Sequence, residues 1–267
     1  MNTVATERDS LMKIHSTAIV HPKAEIAEGV EIGPYSIIRE NVKIGKNTVI
    51  GPHVVVEGWT EIGEENRIFQ FASIGAVSQD LKYHGEKAYL KIGNRNTIRE
   101  YVTLNIGTEG GGGITQIGDN NLLMISAHVA HDCILGNNII IANNGTLAGH
   151  ITIDDGAIIG GLAAIHQFCK VGKMAIIGGC SKVVQDIPPF MMADGHPAVV
   201  RSINLVGKKK KNYSKESIQS IKEAYKTLYR SNLNTSQAID EIAKLSETNE
   251  LRTILEFVKN SSRGISK

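Results

Sequence analysis

An aliphatic residue returns at every sixth position from Ile14 onward: Val20, Ile26, Ile32, Ile38, Ile44, Ile50, Val56, Ile62, Ile68 and Ile74. The residue two places earlier is usually small, as at Ala18, Ala24, Ser36, Thr48 and Ala72, and glycine follows the aliphatic at 33, 45, 51, 63 and 75. Positions i and i−2 share one face of a strand, and a period of six is no helical period. Each unit therefore reads as a short strand and a corner, and the whole predicts a parallel β-solenoid. After Ile74 the pattern skips and returns at Ile92, Ile98 and Leu104. Past the glycine-rich EGGGGI it slips by one residue, then runs for twelve more units from Ile117 to Val183. Two excursion loops are expected, near 76–91 and 105–116.

From 214 onward the apolar spacing becomes helical, with Ile218, Ile221, Tyr225 and Leu228 on one face, then Ile239, Ile242 and Leu245, then Leu251, Ile254, Leu255 and Val258. Pro188, Pro189 and Pro197 fall in the transition. The expected organisation is an N-terminal extension at 1–13, a β-solenoid at 14–204 and a small α-helical domain at 205–267. Residues 1–11 offer nothing to a core and are expected to be dispensable.

Composition sharpens this picture. Only 13 residues are aromatic (Phe 5, Tyr 7, Trp 1) against 27 glycines, so small residues rather than rings shape the backbone. No run approaches the ~18 apolar residues of a membrane span, and the first dozen lack the apolar centre of a secretory signal. A cytoplasmic location is expected, with no stable membrane insertion. The net charge of +2 is uneven, since residues 205–267 hold 13 Lys/Arg and 7 Asp/Glu. No nucleic-acid partner is expected. Three cysteines, Cys133, Cys169 and Cys180, lack CxxC spacing and read as free thiols.

With three units per coil, residues eighteen apart stack one strand spacing apart. His131 then lies over Gly149 and Gly149 over Gln167; Asp132 lies over His150 and His150 over Phe168. His128, His131, His150 and His166 gather within about three coils, none at the inward position, so they are expected to point off the wall. A zinc site is one reading of this cluster, as in gamma-type carbonic anhydrases; incidental surface histidines on a structural solenoid are another.

The repeat resembles the hexapeptide transferases, which implies an all-β left-handed parallel β-helix with a small C-terminal α-helical domain. FQFASIG (69–75), QDLKY (79–83), NLLMISAHVAHDC (121–133), LAGH (147–150), AAIHQF (163–168) and IIGGCS (176–181) narrow the resemblance to the UDP-N-acetylglucosamine O-acyltransferases of lipid A synthesis. That resemblance implies transfer of a 3-hydroxyacyl chain from acyl carrier protein to the sugar 3-hydroxyl, with no cofactor and no metal, in a homotrimer whose sites lie between prisms. It gives His131 the role of general base, Asp132 that of orienting carboxylate and Gly149 that of oxyanion donor. Asp80, Lys82, His128, His150, His166 and Gln167 match contacts to sugar and phosphate, Asn204 matches a uridine-side contact, and Lys210 and Lys211 fall where basic residues reach the diphosphate. AIIGG occurs at 157–161 and again at 175–179, one coil apart, so Gly160 stacks on Gly178 and Gly161 on Gly179. Gly161 and Gly179 would border the acyl groove, and glycine at 179 implies a long donor of the 3-hydroxymyristoyl kind. Ile106, Val206 and His196 depart from the family pattern. Transfer to an amino-sugar analogue, forming an amide, remains an alternative.

Overall fold

The computed structural model describes residues 13–204, 213–245 and 248–267. Residues 1–12, Val206, Lys210 and Lys211 lie outside the described residues. Lys13, assigned above to the extension, already belongs to the first strand and pairs with Glu31, Nζ to Oε1 2.7 Å.

The repeat winds into three sheets of eleven, nine and eight strands, here A, B and C. Successive strands enter A, B and C in turn, and each pairs in parallel with the strand one coil away, as Ile140 does with Ile158 and Ile158 with Ile176. The six-residue pattern thus becomes three internal columns of aliphatic side chains, which from Ile32 to Val183 are at most 4% exposed. The small residues at i−2 have a specific use. Ser36 Oγ donates to the Gly51 carbonyl (2.7 Å) and accepts from Val54 N–H (3.1 Å), and Thr48 makes the same pair of bonds to Gly63 and Asn66. Buried corner backbone is satisfied in this way where a larger apolar residue would leave it unpaired.

The loops are shorter than the sequence pattern suggests, because the strands around them extend through the i−2 positions. Tyr89–Ile92 and Ile114–Ile117 are four-residue strands in which Leu90 and Thr115 are fully buried. The excursions are residues 77–88 and 106–113, the second with a short 3-10 turn at Glu109–Gly111. The last coil ends in an antiparallel pair, Met191–Gly195 with Ala198–Ile203, which the pattern does not announce.

Three helices follow: α1 (Lys215–Tyr229), α2 (Thr235–Ile242) and α3 (Asn249–Lys259). Each starts at a side-chain cap, Ser214, Asn234 and Thr248, and Asn234 forms a reciprocal capping box with Gln237. They close around Ile221, Leu228, Ile242, Leu251 and Ile254, and the chain end returns to the prism where Ser261 donates to the Asp186 carboxylate.

Candidate active site

Both excursion loops leave the prism at the corner joining sheet B to sheet C, from the neighbouring sheet-B strands Ser73–Ala76 and Thr103–Asn105. The next strand of that sheet, His128–Val129, leads into the same corner, occupied there by His131 and Asp132. Two insertions one coil apart are thus gathered over one pair of residues. Asp132, His150 and Phe168 hold the left-handed position of their corners, with φ of 59°, 61° and 66°. Asp and His tolerate that region better than most residues, and their side chains stack in a column, with the His150 and Phe168 rings parallel at 4.5 Å.

His131 Nδ1 lies 2.8 Å from Asp132 Oδ2. That carboxylate also accepts from Thr108, the N–H at 2.9 Å to Oδ1 and the hydroxyl at 2.6 Å to Oδ2. Asp132 N–H donates to Thr115 Oγ1 at 2.8 Å. Gly111 packs on the carboxylate so closely that a β-carbon there would sit 2.1 Å from it. The far ring nitrogen of His131 faces the first loop, 3.9 Å from Asp80 Oδ2. In place of the open wall position expected from the repeat, His131 is 9% exposed and Asp132 5%, because the loops fold back over them.

A β-carbon at Gly149 would lie 2.4 Å from His131 Cε1 and 2.5 Å from Nε2, so the imidazole rests on the backbone of the next coil. At the equivalent corner position between sheets C and A, the N–H is taken by a side chain of the following coil: Asn94 N–H by Asp119 Oδ1, and Asn137 N–H by Asp155 Oδ1, each at 2.7 Å. The Gly149 N–H meets no acceptor among the described residues, which leaves a donor beside the imidazole.

Asp80, Lys82, His84 and Glu86 of the first loop, Thr108 and Glu109 of the second, and His150 and Phe168 line a cleft of about 830 Å³. The Lys82 N–H donates to Asp80 at 3.0 Å and holds its carboxyl below the ordinary value; desolvation opposes this, and the imidazole of His131 assists. Burial lowers His150 despite the Asp132 carboxylate, and lowers His128, with His131 adding to the effect. His128 shares a 2.7 Å hydrogen bond with Thr103 Oγ1.

The other candidates stand apart. His166 and Gln167 are exposed, His166 Nδ1 contacting the Gln167 carbonyl at 3.1 Å. Asn204 is 4% exposed, and its amide donates to the Met174 carbonyl at 2.7 Å near the C–A corner. Gly161 and Gly179 occupy the A–B corner, across sheet B from His131. Burial pushes the Cys133 thiol up to about 12 and Cys169 up to about 11, which suits packing rather than metal or redox chemistry. Among the described residues, His131, Asp132 and His150 could surround a cation, with ligand atoms within 4.8 Å of one another. Such an ion would compete for the Asp132 oxygen that already takes the His131 and Thr108 hydrogen bonds. Thr108 and Gly111 carry no signal in the sequence, since only the loop path brings them to Asp132, whereas Thr115 is the small residue two places before Ile117 and accepts from the next coil's backbone as Ser36 and Thr48 do.

Residues 114–149 match the model of the bacterial transferase hexapeptide, and residues 186–266 that of domain 2 of UDP-N-acetylglucosamine O-acyltransferase. The acyl-(acyl-carrier-protein) UDP-N-acetylglucosamine O-acyltransferase of Herminiimonas arsenicoxydans is 51% identical over 259 residues, 94% of this chain and 98% of that protein. The chain belongs to this family. Among solved UDP-N-acetylglucosamine O-acyltransferases, that of Acinetobacter baumannii (LpxA) aligns with a TM-score of 0.92 at 48% identity, covering 95% of this chain and 99% of the other. LpxA of Bacteroides fragilis aligns with a TM-score of 0.92 at 43% identity over the same shares. Membership fixes the architecture as the left-handed parallel β-helix, the hand that breaks the usual right-handed rule for parallel crossovers. It also sets aside the zinc lyase and the purely structural solenoid, because the O-acyltransferase family is an enzyme family of another reaction class.

Proposed function

We propose that the protein moves a 3-hydroxyacyl chain from acyl carrier protein to the 3-hydroxyl of UDP-N-acetylglucosamine, the first step of lipid A synthesis, with His131 as general base. The hydrogen-bonded His131–Asp132 pair resting on the Gly149 backbone carries this reading. His131 Nε2 takes the hydroxyl proton while the sugar oxygen attacks the thioester carbonyl, so the C–O bond forms and an oxyanion develops. Gly149 N–H donates to that oxyanion. Collapse breaks the C–S bond, and the imidazolium returns its proton to the departing thiolate of the carrier. Asp132 holds the proton on Nδ1, which leaves Nε2 as the acceptor.

In this reading Asp80, Lys82, His128, His150, His166 and Gln167 contact sugar and phosphate, while Asn204, Lys210 and Lys211 serve the nucleotide end. The reaction needs no cofactor beyond the acyl-carrier thioester. A homotrimer with sites between prisms is supported by apolar surface left open on one chain: Leu81, at the tip of the first loop, is 96% exposed, and Tyr35, Phe71, Tyr101 and Leu162 along the A–B corner are 45–63% exposed. No helix among the described residues is long and apolar enough to cross a membrane, which accords with a cytoplasmic enzyme meeting a soluble carrier.

Assay of the protein with acyl carrier protein thioesters of several lengths against UDP-N-acetylglucosamine and its 3-amino analogue tests the function. Ester formation on the hydroxyl sugar is expected; transfer to the amino sugar alone would replace the reaction by amide formation. A second expected result follows from the close packing at Gly149. Gly149→Ala places a methyl group against a ring that Asp132 holds in place, so turnover should fall roughly 10²-fold through displacement of the base. Unchanged kcat in a crystal-verified Gly149→Ala protein would show that the imidazole has room to move without cost.

A further inference from the structure

Asp132 is held by more than its histidine. Its carboxylate receives two hydrogen bonds from one residue of the second excursion loop, Thr108, whose N–H binds Oδ1 and whose hydroxyl binds Oδ2. Oδ2 is the same atom that meets His131 Nδ1. Thr108 is itself 7% exposed, and the loop beyond it presses Gly111 onto the carboxylate, so neither group has solvent as an alternative partner. Two donors from one rigid backbone unit fix both the position and the rotation of a carboxylate, where either bond alone would leave it free to turn. The second loop also reaches the first, with Glu109 N–H 3.5 Å from Glu86 Oε1.

We infer that Thr108 is a positioning residue for acyl transfer: its hydroxyl fixes the Asp132 carboxylate, and through it the His131 ring, in the orientation the base requires. The inference rests on the proposed reading of His131 as base and adds the second excursion loop to the machinery. A hydrogen-bonded carboxylate behind a functional imidazole sets both the ring's tautomer and its angle, and loss of such a partner typically costs about 10- to 100-fold in activity. The hydroxyl also shares Oδ2 with the imidazole.

The test compares Thr108→Val, which keeps shape and backbone N–H but lacks the hydroxyl, with Thr108→Ser, which keeps the hydroxyl. Both are measured as folded trimers or monomers of matched thermal stability, with kcat and sugar-nucleotide KM. Thr108→Val is expected to lose kcat by about 10- to 100-fold, with KM within about twofold. Thr108→Ser should recover most of the rate. An undiminished kcat in Thr108→Val, or equal losses in Val and Ser variants, overturns the inference, the second because the hydroxyl would then not be the operative group. Failure of the wild-type protein to transfer the acyl chain overturns the underlying function instead.

Discussion

His131→Ala protein is expected to fold and to lose roughly 10²- to 10⁴-fold in turnover, the range a positioned general base supplies. The fold should survive because the imidazole belongs to no part of the aliphatic columns. Its contacts are Asp132, the Gly149 backbone, the His150 ring edge at 5.0 Å and the first loop. The second loop keeps its own ties from Thr108 to Asp132, and the strand that follows it holds Asp132 N–H through Thr115. The loss should appear in kcat more than in the sugar-nucleotide KM, because proton removal is needed only as the transition state is approached. Turnover of a folded His131→Ala protein close to that of wild type would remove the mechanism. A matched His128→Ala protein separates the base from a substrate-contacting histidine, since His128 bonds Thr103 and not the Asp132 carboxylate and its loss should raise the sugar-nucleotide KM more than it lowers kcat.

The prism was legible because a six-residue period survives every local irregularity: one apolar residue per unit points inward, and the corner between units needs only a small residue or one that tolerates positive φ. The same arithmetic, carried to eighteen residues, places His131 over Gly149, where the imidazole rests on that glycine's backbone. It could do so because both residues sit in regular coils. Where the chain leaves the coil, periodicity says only that a loop exists. Residues 77–88 and 106–113 are placed by contacts with one another and with Asp132, so the burial of His131 and the bonds from Thr108 had no counterpart in the pattern. The loops span less than the gaps in the pattern for a related reason, since Leu90 and Thr115 continue the strands inward although neither falls on the six-residue beat. Asn204 is likewise placed by packing the pattern does not announce, one of its amide N–H groups donating to the Met174 carbonyl.

The two glycines of each AIIGG segment differ in the space around them, and that difference sets up the largest expected change in specificity. A β-carbon at Gly160 would lie 2.6 Å from backbone atoms of the next coil, and one at Gly178 2.8 Å from Asp194 Cβ. Those two are required by packing between coils. At Gly161 and Gly179 the nearest atoms to an added β-carbon are single carbonyl oxygens, 3.3 and 3.2 Å away, and neither residue has a positive φ. A side chain can therefore be carried at 179 with a displacement of a few tenths of an ångström, directed away from the core. Under the proposed function this bare strip at the A–B corner borders the end of the acyl groove. Wild-type protein should then prefer a 3-hydroxymyristoyl donor over 3-hydroxydecanoyl. Burial of about 0.8 kcal/mol per methylene makes four carbons worth about 3 kcal/mol, or roughly 10²-fold in kcat/KM. Gly179→Met should fold and invert that preference by filling the space the last methylenes occupy. Gly160→Ala, which forces backbone apart, should lower stability while leaving the ratio of the two donors as it was. Measured ratios for both variants decide the matter: a folded Gly179→Met protein that still prefers the longer donor would place the end of the groove elsewhere on the prism.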